Sequence, residues 1–205
     1  MLDDAPTVFL VDDDDAVRDA LATLLGTVGL SVRDFASPAA FLSAFDASAF
    51  GCLILDVRMP HVSGLELQAR LSADGVDLPV IVVTGHGDID LCRRAFKQGA
   101  VEFLTKPIDE HDLLDAVQRA VRQHAEVRQR HTTAASARAR LARLTDREAD
   151  VLRLLVDGAS NKEAARSLGI SARTIETHRA SLFEKLGANS VAELVRMYLA
   201  SREGP

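Results

Sequence analysis

Cys52-Leu53-Ile54-Leu55-Asp56 decides the fold of this chain. The run up to Asp56 is apolar, short, and lacks the polar alternation of a strand with one face in water. A strand of this kind is buried on both faces, which requires a parallel sheet with helices packed above and below it. Matching pieces lie on either side. Thr7–Val11, Ser31–Phe35, Val80–Thr84 and residues 101–105 are each about as long as a typical strand. Between them Val17, Ala20, Leu21, Leu24, Leu25 and Val28 recur at helix spacing, Ser37-Pro38 reads as a cap followed by proline at the first helical position, and Leu113, Val117 and Val121 mark a last helix. The expected architecture of residues 1–123 is α/β, a (βα)5 doubly wound parallel sheet.

The pattern then changes twice. Residues 124–143 are rich in Ala and Arg and show no broad apolar face, so they read as a linker, partly helical, with His131-Thr132-Thr133 as the expected break. Residues 144–205 read as an all-α, four-helix unit, three of whose helices begin at Thr145/Glu148, Ser160/Glu163 and Ser190/Glu193, each pair spaced as a capping box. Gly158, Gly169 and Gly187 stand where helices end. The tight Gly169-Ile170-Ser171 turn between two of these helices gives a helix-turn-helix layout, which by itself also suits a plain structural corner.

With 47% hydrophobic and 26% charged residues, the composition excludes collagen-like, purely coiled-coil and disordered chains. No apolar run approaches the roughly 18 residues of a membrane helix. The start Met1-Leu2-Asp3-Asp4 is acidic where a secretory signal would be basic, so a cytoplasmic location without membrane contact is expected. The 2 cysteines, Cys52 and Cys92, form no CxxC pair and read as core hydrophobes. Net charge is −6, yet residues 1–123 carry 20 acidic and 10 basic side chains against 10 and 14 in residues 124–205. The second half's excess falls within 124–143, so charge alone argues only weakly for a nucleic-acid partner.

The chemistry gathers at strand ends. Asp12-Asp13-Asp14-Asp15 follow the first strand and Asp56 ends the third. In a parallel sheet of order 2-1-3-4-5 these strands are neighbours, and their carboxyl ends flank the switch point where ligands of open α/β sheets bind. Carboxylates crowded there repel unless a cation sits among them, and hard oxygen ligands suit Mg²⁺. Asp14 and Asp15 read as caps of the first helix. Thr84 and Lys106, at the ends of the fourth and fifth strands, add a hydroxyl and an ammonium able to hold the oxygens of a phosphoryl group carried on Asp56. A phosphatase that works through an aspartyl phosphate is the enzyme alternative, but its second aspartate would fall where Arg58 stands. A phosphate-independent binding module is the other.

VDDDDAVR, LILDVRMPHVSGLEL, VVTGHGD and FLTKP resemble the receiver domain of bacterial two-component response regulators, a flavodoxin-like, CheY-like fold, over residues 1–123. The resemblance implies that Asp12, Asp13, Asp56 and the main-chain carbonyl of Arg58 hold Mg²⁺, that Asp56 accepts phosphoryl from a histidine kinase, and that Lys106 contacts the acyl phosphate. It also implies a cis Lys106-Pro107 bond and a switch pair at Thr84 and Phe103, the latter departing from the commoner Tyr. The segment from Leu144 to Val195 resembles the LuxR-type helix-turn-helix domain, and the pairing resembles the FixJ/NarL family. Such a protein is a transcription regulator rather than an enzyme acting on outside substrates; it turns over only its own phosphate and dimerises on promoter DNA once phosphorylated.

At 100° per residue from Ser171, Ile175, Leu182 and Leu186 form one stripe and Arg173, Glu176, Thr177 and Ala180 the opposite one. The expected DNA contacts are Lys162, Arg173, Thr174, Glu176, Thr177, Arg179 and Lys185, with Lys162 and Arg179 on the backbone. The expected dimer face combines Arg93, Arg94, Lys97, Val101 and Asp112, flanked by Asp109, Glu110, Ala95 and Phe103, whose opposite charges can pair across a two-fold axis.

Overall fold

The computed structural model describes residues 5–85 and 89–202. The acidic start and the His86-Gly87-Asp88 part of one motif lie outside the described residues. The chain forms two compact units, Met1–Val127 and Arg128–Pro205.

In the first unit, β1 (Thr7–Val11), β2 (Ser31–Phe35), β3 (Gly51–Asp56), β4 (Val80–Thr84) and β5 (Ala100–Thr105) alternate with α1 (Asp15–Thr27), α2 (Pro38–Ala44), α3 (Gly64–Ala73), α4 (Ile89–Lys97) and the first part of α5 (Glu110–Leu141), whose residues from Arg128 on belong to the second unit. The strands are all parallel in the order β2-β1-β3-β4-β5, as expected. Successive side chains of a strand point to opposite faces, and each face has its own core. Phe9, Val11, Leu53, Leu55, Val80 and Val82 pack with Phe41, Leu67 and Ala95 on one side. Val8, Leu10, Cys52, Ile54, Ile81 and Val83 pack with Leu21, Leu25, Leu113 and Val117 on the other. β3 is buried along its entire length.

Register positions the acids. Val11 pairs with Leu55, so the next residues along the two strands, Asp12 and Asp56, leave the sheet side by side. Asp56 pairs with Val83, one residue short of Thr84, and Thr84 pairs with Thr105, one residue short of Lys106. The Lys106-Pro107 bond is cis.

The expected break at His131-Thr132-Thr133 is absent: α5 continues through it to Leu141. The hydroxyls of Thr132 and Thr133 donate to the carbonyls of Arg128 and Gln129, four residues back, so these side chains stay within the helical frame. Residues 124–143 are also not a bare linker. His124 is buried, with Nδ1 2.9 Å from the Gly51 carbonyl oxygen, and its ring packs on Phe50. Ala134 and Ala137 are buried in the second unit, a face too narrow to stand out by periodicity.

The second unit contains α6 (Asp146–Val156), α7 (Asn161–Leu168), α8 (Ala172–Leu186) and α9 (Val191–Arg202) around Val151, Leu152, Leu155, Ile175, Leu182, Leu186 and Leu194. Capping boxes form at Thr145/Glu148 and Ser160/Glu163. The third does not close: Ser190 Oγ accepts from the Glu193 N–H, but the Glu193 carboxylate reaches the N–H of Asn189 instead. Gly169 and Gly187 end α7 and α8 in the left-handed conformation, where a side chain would be strained.

A Cβ added to Gly64 would stand 2.1 Å from the Asp56 carbonyl oxygen, so the start of α3 rests directly on the end of β3. Gly64→Ala should push the helix off the strand and destabilise the first unit by about 1–3 kcal/mol, read as a lower urea midpoint.

Candidate functional site

The strand ends meet in one polar pocket. Ligand atoms of Asp12, Asp13 and Asp56 all lie within 4.8 Å of one another, with Asp12 and Asp56 buried and Asp13 exposed. Asp12 Oδ1 accepts from the Asp14 N–H at 3.0 Å, and Asp56 Oδ2 accepts from the Arg58 N–H at 2.8 Å. Lys106 Nζ lies between the two buried acids, 2.7 Å from Asp12 Oδ2 and 3.1 Å from Asp56 Oδ1. Thr84 is fully buried beside them, and its carbonyl accepts the Lys106 N–H at 2.8 Å. Phe103 is half-buried against the core on the α4 side of the sheet. The Arg58 side chain is exposed.

Burial raises the Asp56 carboxyl above the ordinary aspartate range; the neighbouring Asp12 charge adds to this, while Lys106 and the Arg58 N–H oppose it. Burial alone would lower Lys106, but its hydrogen bonds and charge pairing with Asp12 and Asp56 outweigh that and raise it. The pocket sets three carboxylates against one ammonium. An oxygen-only donor set with that charge excess fits a hard divalent cation of the Mg²⁺ class.

Asp14 caps α1 by accepting from the N–H groups of Ala16 and Val17. Asp15 stands in the first turn of α1, where its charge favours the helix N-terminus, and also pairs with Arg18, a residue that sequence reasoning passed over. Arg18 shares the buried stripe of Leu21 and Leu25, and a cation on an apolar stripe beside four aspartates was the available signal.

On α8, Ile175, Leu182 and Leu186 are buried, while Arg173, Thr174, Glu176, Thr177 and Ala180 are exposed, as the helical spacing predicts. Thr174 bonds the Ser171 hydroxyl at 2.8 Å, and Thr177 donates its hydroxyl to the Arg173 carbonyl. Lys162 is exposed on α7. Arg179 is half-buried and binds the Asn161 side chain, joining α7 to α8. Lys185 does not belong with the outward group. Its Nζ lies 2.7 Å from Glu148 Oε2 in an intramolecular pair.

Glu148 itself was legible only as a cap. It is buried, and besides Lys185 it accepts from the Thr145 N–H at 2.8 Å and the Ser181 hydroxyl at 2.7 Å, which ties the start of α6 to the middle of α8. Its place three, four and seven residues before Val151, Leu152 and Leu155 marks it as inward-facing.

On the expected dimer face, Arg93, Arg94, Lys97 and Asp112 are exposed and Val101 is half-buried. Ala95 is fully buried under α4 and contributes nothing to that surface. Two large apolar side chains of α4 are exposed, Ile89 at 79% and Phe96 at 47%. No described helix is long and apolar enough to cross a membrane.

Residues 8–118 match the family described as response regulator receiver domain, and residues 142–198 match the luxR family of bacterial regulatory proteins. The chain is 46% identical to the transcriptional regulatory protein FixJ of Azorhizobium caulinodans over 198 residues, 97% of this chain and 94% of that protein. It is 40% identical to the response regulator protein TmoT of Ectopseudomonas mendocina over 197 residues, 96% of this chain and 90% of that one. Among solved structures, the response regulator StyR superposes with a TM-score of 0.84 at 42% identity, covering 96% of this chain and 99% of its own. Full-length FixJ from B. japonicum superposes with a TM-score of 0.60 at 40% identity, covering 98% of each chain.

Glu148→Gln should destabilise the second unit by about 1–3 kcal/mol, because the neutral amide cannot accept all the donors that converge on the carboxylate. Lys185 leads in pulling the Glu148 carboxyl down from 4.5 to about 2, followed by the Thr145 N–H and the Ser181 hydroxyl. The folded state then binds fewer protons than the unfolded chain, so this stabilisation is complete above about pH 4.5 and is lost as pH falls toward 2. Thermal melts at stepped acidic pH should show that loss in the parent protein and a smaller one in the variant.

Proposed function

The chain belongs to the two-component response regulators that join a receiver domain to a LuxR-type DNA-binding domain, and on that premise we propose that phosphorylation of Asp56 controls its assembly on promoter DNA. The observation that supports this most directly is the contact of a buried aspartate at the end of the central strand with both a second acid and the Lys106 ammonium. An Asp56 oxygen attacks the phosphorus of a histidine kinase's phosphohistidine. The P–N bond breaks, its electron pair stays on the imidazole nitrogen, and the new P–O bond makes an acyl phosphate. Asp12, Asp13, Asp56 and the main-chain carbonyl of Arg58 would hold Mg²⁺, which would supply positive charge against the phosphoryl oxygens. Lys106 needs little movement to pass from the carboxylates to a phosphoryl oxygen, and Thr84 holds another. Thr84 and Phe103 form the pair that responds. Arg58 carries no carboxyl group to act as the general acid of a phosphatase, so the protein turns over only its own phosphate, and slowly.

The phosphorylated receiver dimerises through Arg93, Arg94, Lys97, Val101 and Asp112, with Ile89 and Phe96 as apolar contacts. In the second unit Lys162 holds the DNA backbone at the α7 N-terminus, while Arg173, Thr174, Glu176 and Thr177 face base edges. Arg179, engaged with Asn161, braces α7 against α8 and reaches only the backbone. A cytoplasmic location follows from these partners.

Incubation with acetyl phosphate and Mg²⁺ should add one phosphate to the intact mass and raise the light-scattering mass from monomer to dimer. Asp56→Asn should abolish both changes, and full labelling of that variant would move the acceptor elsewhere. In DNA binding, Lys162→Ala should weaken every sequence alike and reduce the salt slope by about one. Thr177→Ala should instead alter the preferred bases, by roughly 1–3 kcal/mol of discrimination at a good contact, with the salt slope unchanged.

A further inference from the structure

The Arg18 side chain is 11% exposed, and its planar fork engages three parts of the fold at once. Nη1 donates to the main-chain carbonyl of Asp12 at 2.8 Å, Nε donates to Asp34 Oδ2 near the end of β2 at 3.3 Å, and Nη2 pairs with Asp15 in the first turn of α1. The Asp12 carbonyl lies one residue past the last β1–β3 register pair. The Asp12 N–H still donates to the Phe35 carbonyl of β2 at 3.2 Å, and the guanidinium takes the carbonyl on the other side of the same residue, beyond the last register pair. We propose that Arg18 is a positioning residue of the acidic pocket, holding the Asp12 main chain so that Asp12 and Asp13 both reach the space beside Asp56.

The inference rests on the reading of that pocket as a Mg²⁺ site. Two roles for Arg18 predict opposite signs. As a mere counter-charge it weakens the field on a bound cation, so its removal would tighten Mg²⁺ binding. As a clamp it keeps the carboxylates convergent, and its removal loosens Mg²⁺ even though the site has become more negative. At the half-exposed Asp34 the two roles also differ in salt response, because the field of an exposed charge is screened and a positional effect is not.

The test is a Mg²⁺ titration by calorimetry on the full chain, at low salt and at about 0.5 M salt, where the Debye length falls to a few ångströms. Arg18→Met keeps the stem and removes every donor; it should weaken Mg²⁺ about tenfold or more at both salt concentrations, the range seen for residues that orient metal ligands. Arg18→Lys keeps the charge but loses the fork, and should recover part of the affinity. Should Arg18→Met fail to fold by circular dichroism, Asp34→Asn loosens the same clamp from a side chain that is 52% exposed. Its loss of affinity should persist at high salt. Unchanged or tighter binding by Arg18→Met, or an Asp34→Asn effect that disappears at high salt, overturns the proposal. Absence of Mg²⁺ binding by the parent protein overturns the reading of the pocket instead.

Discussion

Asp12 and Asp56 end neighbouring parallel strands at the same level, so the register that builds the sheet forces two buried carboxylates together. In a low-dielectric setting that juxtaposition is strongly unfavourable by itself. The receiver is arranged around this repulsion. Lys106 arrives from the end of β5 and places its ammonium against both acids. The N–H groups of Asp14 and Arg58 take one oxygen of each. What remains is a pocket still short of positive charge, which suits a divalent cation and, once that cation compensates the added negative charge, a phosphoryl group. The destabilised arrangement is thus the working part of the domain, and the apolar cores on the two faces of the sheet hold it in place.

The second unit uses one acid differently. Glu148 is buried among donors on α6 and α8 and stays ionised because every neighbour stabilises the charge. The result is mechanical. Ser181 and Lys185 fix one face of α8 against the start of α6, and Arg179 with Asn161 fixes it against α7, so the opposite face is presented in one rotation. Polar contacts suit this role because they are directional, whereas the apolar stripe of Ile175, Leu182 and Leu186 would tolerate small rotations.

Much of this was legible in the residues. The continuous apolar runs of β3 and β4 predicted a covered parallel sheet, and the acids and Lys106 at strand ends located the pocket because side chains that follow strands in a parallel sheet share one edge. The spacing of α8 separated its inner and outer faces correctly from period alone. These successes share a cause: they depend on position along an element, which sequence states directly.

The parts that needed the tertiary structure depend on what a side chain meets across space. Lys185 and Lys162 are alike as letters, yet one closes a pair with Glu148 and the other is exposed. Arg18 carries no sign in the sequence of its three partners, which its fork meets on Asp12, Asp15 and Asp34. The helix runs on through His131-Thr132-Thr133, with the two threonine hydroxyls bonded to carbonyls four residues back and with Ala134 and Ala137 buried, and small alanines do not announce burial in a sequence. By itself the sequence determined the fold class and the gathering of acids at strand ends, since local periodicity carries them, and the resemblance of its motifs carried the family. Which charged groups brace the structure and which are left for ligands was decided only in three dimensions, because an ion pair is defined by distance between elements and not by spacing along the chain.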